Sequence, residues 1–176
     1  RTMKGPALDI FRFAERLMWM NEDTWQRHAH PFSVWSRVFL GLPLLVLAVW
    51  SRAWIGGWAL LALAAALGFI WLNPRMAPIP KHTDNWASKA VFGERVWLNR
   101  KSVPIPECHR VAPHLLTAVS ALGIPFLVWG LYALAIWPTL FGAALIYLGK
   151  MWFVDRMVWL YEDMKGVHPE YAAWLR

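Results

Sequence analysis

Four apolar stretches, each close to the length that crosses a bilayer, leave this chain few ways to fold. A helix needs roughly 20 mostly apolar residues to span the hydrocarbon core. The stretches run from about Val34 to Trp50, Trp54 to Leu72, Ala112 to Trp129 and Pro138 to Val154. Ser51-Arg52-Ala53 joins the first pair, and a short run from Gly130 to Trp137 joins the second. Each pair is expected to form a tight helical hairpin. The expectation is therefore an all-α integral membrane protein with four transmembrane helices. Composition agrees: 58% of the 176 residues are hydrophobic and 16% are charged, against roughly 25% charged in an ordinary soluble domain.

Charge distribution orients the spans. Of the eighteen Lys and Arg residues, six lie at or before Arg37, seven between Arg75 and Arg110, four from Lys150 onward, and Arg52 stands alone at a hairpin tip. Every Asp and Glu lies in the first three of these segments. An even number of spans puts those segments on one side, which the positive-inside rule makes cytoplasmic. Both termini are then expected in the cytoplasm of a prokaryotic inner membrane. The net charge of +7 is accounted for by topology and anionic headgroups, with no nucleic-acid partner. A secretory signal would need a cleavage site and a soluble domain behind it, and neither is visible. Cys108 has no second cysteine to pair with, which excludes a disulfide scaffold.

The two halves resemble each other. Phe13-Ala14-Glu15-Arg16 matches Phe92-Gly93-Glu94-Arg95, Gly41-Leu42-Pro43 matches Gly123-Ile124-Pro125, and Gly68-Phe69-Ile70-Trp71 matches Gly149-Lys150-Met151-Trp152. The matches keep their order at nearly constant spacing, the signature of a duplication. A single membrane domain, 1–176, is expected, with repeats over about 9–76 and 88–157 and a cytoplasmic tail from 158 to 176. Two-span units return to their starting side, so the two hairpins share one orientation. Segments Asp9 to Met20 and Ser88 to Leu98 have the pattern of amphipathic helices lying on the membrane surface.

Fourteen Trp residues suit aromatic belts at both interfaces, or an aromatic cage around a cationic or flat ligand. The run Arg27-His28-Ala29-His30-Pro31-Phe32-Ser33-Val34-Trp35-Ser36-Arg37 leads into the first span. Ser33 suits a helix cap and Pro31 the approach to it. Arg37, one turn inside, can snorkel or bind a phosphate. Asp155 sits just inside a membrane boundary, costly unless paired or facing a wet cavity; Arg37 or Arg75 is the expected partner. The candidate ligand or lipid-binding residues are Arg27, His30, Trp35, Arg37, Arg75, Asp84, Trp86, Glu94, Asp155 and Arg156. The His, Asp and Glu residues show no helical metal-ligand spacing, and the adjacency of Cys108 and His109 argues against chelation. No metal site and no cofactor is assigned.

Arg-His-x-x-Pro-x-Ser-x-Trp-x-Arg, at Arg27 to Arg37, resembles the leading motif of a family of small Trp-rich prokaryotic membrane proteins of unknown function. Asp84-Asn85-Trp86 and Gly93-Glu94 look like its second block. The resemblance covers roughly Trp25 to Leu98 and implies a multi-span membrane fold without a known activity. Tryptophan-rich sensory proteins look like five-span proteins with Trp-Pro loops, which this chain lacks.

Three functions fit these observations. The first is a binding or accessory protein whose basic cytoplasmic collar engages anionic lipid, a larger membrane complex or further copies of itself. The second is a small transporter or channel built from the duplicated hairpins. The third is a membrane enzyme acting on a lipid or quinone, with His30, Asp84, Glu94 and Asp155 as acid–base groups.

Overall fold

The computed structural model describes residues 17, 18 and 20–176, and among them the secondary structure is helical with no strand. Helix α1 (Glu22–His28) starts at Asn21, whose side chain accepts the Thr24 N–H. Helix α2 (Pro31–Ser36) passes into a π segment (Arg37–Gly41) and then α3 (Leu42–Trp50). Pro43 explains the interruption. It has no N–H to give and its ring crowds the preceding turn, so the ladder widens locally. In the π register the carbonyl of Val38 faces Pro43 and is left unserved; the Tyr147 hydroxyl donates to it instead.

After α4 (Arg52–Ile55) the chain reverses at Gly56, where φ is +54°, a conformation that glycine adopts without side-chain strain. A single 3-10 turn (Gly56–Trp58) leads into α5 (Ala59–Met76), which packs back on α3. Helix α6 (Trp86–Leu98) is capped by Asn85. A second 3-10 turn (Glu107–His109) precedes α7 (Ala112–Ala133), α8 (Ile136–Met164) and α9 (Pro169–Ala172). Among the described residues, Pro31–Met76 and Glu107–Ala133 are the two helical stretches apolar and long enough to cross a membrane. Only 11% and 22% of their most apolar windows are buried inside the protein, so neither is the covered core helix of a soluble domain. Phe39, Leu47, Leu60, Leu61, Leu122 and Val128 all point outward.

Packing is dense at one end. Val96, Met157, Leu160 and Tyr161 are fully buried and Trp97 nearly so, in a cluster built from α1, α6, the end of α8 and α9. Helix α6 departs from the sequence expectation. It does not lay one apolar side on a membrane surface, because Ala87, Val91, Phe92, Val96 and Trp97 are all buried within the protein. Its polar residues are spent on ion pairs rather than headgroups: Lys89 lies 2.5 Å from Asp84 and 2.7 Å from Glu162, and Arg95 lies 2.5 Å from Glu22. The companion segment at 9–16 lies outside the described residues.

The hairpins are not identical. Helix α5 stops at Met76, whereas α8 continues beyond Val154 to Met164. Helix α7 keeps its α register through Pro125, unlike the π-widened first span. Small residues let α7 and α8 approach closely. A Cβ on Gly142 would lie 2.3 Å from the Leu127 nitrogen, and one on Gly149 2.4 Å from Ser120 Oγ. The tips are joined by Arg52, which donates to the Leu131 carbonyl at 2.6 Å and to that of Tyr132.

The tightest approach is between α6 and α8, where a Cβ on Gly93 would fall 1.8 Å from the carbonyl oxygen of Met157. Gly93→Ala is expected to lower stability by at least the 1–3 kcal/mol typical of overpacking, about the range for a well-packed core. Gly68→Ala, with nothing within 4 Å of the added atom, is expected to be neutral or mildly stabilising. Thermal melts of both variants in detergent check this; equal midpoints would show that the helix contact yields freely.

Candidate functional site

Beneath the packed end, two clefts open between the hairpins, with volumes of about 380 and 310 Å³. Both are walled mainly by apolar side chains. They share one polar group of residues: His28, Arg37, Glu94 and Lys150. Trp25, Trp97 and Phe153 add aromatic wall to the larger cleft, and Val38, Leu45 and Tyr147 line the smaller. A concave apolar space with a few converging polar groups is the usual form of a small-molecule site.

A directed chain of hydrogen bonds holds the shared cluster. Ser36 Oγ donates to the Phe32 carbonyl at 2.6 Å and accepts from Asn73 Nδ2 at 2.6 Å. Asn73 Oδ1 accepts from Ser33 Oγ at 2.8 Å. Ser33 has thereby used its proton, so at its 3.0 Å contact with His28 Nδ1 it is the acceptor. Nδ1 then carries the imidazole proton, and Nε2 is left with a lone pair. Arg37 Nη1 donates to that lone pair at 3.4 Å. His28, Ser33 and Asn73 are 8%, 0% and 5% exposed, so a protonated imidazole there would lack solvation. Burial, with the adjacent Arg37 charge second, pulls the His28 pKa down to about 3; the Glu94 carboxylate opposes this weakly.

The other half of the cluster comes from α6 and α8. Lys150 Nζ donates to Glu94 Oε1 at 2.7 Å. Burial pushes the Glu94 carboxyl upward, but the charge and hydrogen bond of Lys150, aided by the Arg37 charge, outweigh it and leave the group below its ordinary range. Glu94 is thus the carboxylate that balances Lys150. Arg37 has no such partner: among the described residues no carboxylate lies within ion-pair distance of it. A guanidinium has five N–H donors in a planar fork, and one of them is directed at His28. The shared wall therefore carries an excess positive charge with donors to spare.

Of the ten residues singled out in the sequence, Arg37 and Glu94 line the clefts. The rest hold the frame around them. Arg27 pairs with Asp23 at 2.8 Å and reaches the Ala77 carbonyl. His30, rather than Ser33, caps α2 by accepting the Phe32 N–H. Trp35 stacks on Trp86 at 5.2 Å, and Trp86 Nε1 donates to Asp155 Oδ1 at 3.0 Å. Asp155 is thus held by an indole N–H, and neither Arg37 nor Arg75 pairs with it. Arg75 lies 3.8 Å over the Trp71 ring and donates to the carbonyls of Met18 and Trp71. Asp84 pairs with Lys89. Arg156 lies over Trp159, 5.5 Å from its centroid, and its Nε is buried.

Sequence reading passed over His28 and Lys150. Lys150 carried a usable signal, a lone cation within an otherwise apolar stretch, which in a membrane is a functional hypothesis by default. His28 carried none beyond its place in the motif.

The chain belongs to a family of unknown function (DUF6653), whose model matches residues 12–174. The match extends well beyond the segment from Trp25 to Leu98 on which the sequence resemblance rested. Comparison with curated proteins and with solved structures finds no match.

The depressed His28 pKa makes stability depend on pH. Between about 3 and 6.5 the unfolded chain binds a proton that the folded chain refuses, so stability falls as pH drops below 6.5. Glu94, whose folded pKa is also depressed, adds a further loss only at more acidic pH. Melting midpoints in detergent are expected to be level above pH 6.5 and to decline below it, with a shallower decline in His28→Gln. Identical slopes in the two proteins would remove His28 as the cause.

Proposed function

We propose that this protein binds an amphiphile with an anionic head, the head held between Arg37 and Lys150 and the apolar part lying in the clefts. The single observation that carries this reading is the Arg37 guanidinium. It lines both clefts, has a neutral imidazole as its one hydrogen-bond partner among the described residues, and forms no ion pair there, the nearby Glu94 carboxylate being engaged by Lys150. A cation in that setting is stabilised by an anionic ligand that takes its free donors, and a phosphate or carboxylate suits the guanidinium fork. The apolar walls suit a hydrocarbon tail. Anionic membrane lipid has both features, and the basic collar expected at the cytoplasmic face would concentrate it nearby.

This reading takes the chain as a four-span protein of a prokaryotic inner membrane. The Pro31–Trp50 and Ala59–Met76 helices, α7 and the apolar part of α8 would cross the bilayer. The residues around the packed end, with both termini, would face the cytoplasm. The lone Arg52 on the other side, against the concentration of Lys and Arg at the packed end, supports that orientation.

Native mass spectrometry of the full chain, offered an anionic and a zwitterionic phospholipid with the same acyl chains, tests the binding. The anionic adduct is expected to dominate and to persist at high salt, because the site is recessed. Arg37→Gln is expected to weaken it about tenfold, the scale of losing a charged hydrogen bond, while Arg110→Gln at the exposed rim leaves it unchanged. Equal adducts with both lipids, or an unchanged adduct in Arg37→Gln, would sink the proposal. Orientation has its own check, since Cys108 is exposed and the chain has no other cysteine. An impermeant maleimide is expected to label it in inverted vesicles and not in intact spheroplasts; the reverse result overturns the topology.

A further inference from the structure

Away from both clefts, the turn before α7 meets the end of α8. Cys108 and His109 lie on the 3-10 turn and Asp163 on the last turn of α8. One donor atom from each of the three lies within 4.8 Å of the other two. His109 is 3% exposed, and its Nε2 sits 2.7 Å from Asp163 Oδ2. The turn is held by the His109 N–H on the Pro106 carbonyl at 3.1 Å and the Arg110 N–H on the Glu107 carbonyl at 3.0 Å. Adjacency in sequence led to the expectation that Cys108 and His109 do not chelate together. The tight turn reverses that, because it aims the thiol and the imidazole toward one point that Asp163 also reaches.

We propose that Cys108, His109 and Asp163 bind a divalent transition-metal ion of the zinc class, leaving a fourth position open to water or another ligand. The donor set decides the class. A thiolate, an imidazole and a carboxylate together suit zinc, whereas magnesium and calcium take oxygen donors. A His–Asp hydrogen bond alone accounts for the 2.7 Å contact but not for the convergence on it of the chain's one thiol. Two of the donors can adjust as the ion enters. Asp163 is 57% exposed on its side chain and Cys108 is exposed, so both can close in on the buried imidazole.

The ion would fasten the approach to α7 onto the end of α8, at the base of the second hairpin. None of the three residues lines either cleft, so this site stands whether or not the amphiphile site does.

Equilibrium dialysis of the full chain in detergent, stripped with chelator and offered zinc, tests the assignment by elemental analysis. A single ion per chain is expected. Cys108→Ala and Asp163→Asn are each expected to weaken binding by more than about tenfold, the lower bound of what even changes behind the ligands cost. Cobalt in place of zinc is expected to show a thiolate-to-metal charge-transfer band that Cys108→Ala abolishes. Cys108 is exposed, so that variant keeps its fold. Zinc bound well below one per chain, or bound equally by Cys108→Ala, overturns the site, as does magnesium binding as tightly as zinc.

Discussion

A guanidinium carried into an apolar wall is costly unless something nearby accepts its hydrogen bonds. Arg37 meets that cost through a neutral imidazole, and the imidazole is usable only because it is prevented from becoming a second cation. The chain from Phe32 through Ser36, Asn73 and Ser33 to His28 performs this task. Each link fixes the direction of the next, so the tautomer of His28 is set by a backbone carbonyl two residues before the span is a full turn old. The chain also ties α1, α2 and α5 into one unit, since its members come from all three. Removing any buried member would strand a polar group without a partner.

The other wall of the clefts has a different logic. Glu94 and Lys150 satisfy each other across α6 and α8, and those helices are held at close range by Gly93 against the Met157 carbonyl. Along their length the two walls touch sparingly, with the Tyr147 hydroxyl on the Val38 carbonyl and Arg52 at the tips among the links. Most of the burial that holds them together lies at the packed end, around Trp97, Met157, Leu160 and Tyr161. The clefts exist because the fold is tied firmly at one end and lightly along its length.

Much of this architecture is legible in the chain. Long apolar runs interrupted at Ser51-Arg52-Ala53 and between Gly130 and Trp137 point to helical hairpins, and the helices reverse within both stretches or next to them. The motif from Arg27 to Arg37 marked the right neighbourhood, and three of its marked residues' roles turned out structural: Arg27 pairs with Asp23, His30 caps and Trp35 stacks. Helix α6 was misjudged because its sequence alternates polar and apolar residues as a surface helix does. Its charges were in fact matched by Asp84, just ahead of the helix, and by Glu22 and Glu162, which lie far away in the chain. Pairing between distant residues leaves no mark on local periodicity.

The sequence by itself determined which segments are apolar, roughly where they reverse and where along the chain the charges gather, since these follow from hydropathy, turn residues and counting. Only the tertiary structure decided which polar residues meet. Lys150, His28 and Asn73 come from three separate helices, and their convergence depends on helix register and on close approach at glycines. It decided equally that Asp155 is quieted by an indole while Arg37 keeps donors to spare. The cost of a buried charge is set by what surrounds it, and in this fold those surroundings are assembled from distant parts of the chain.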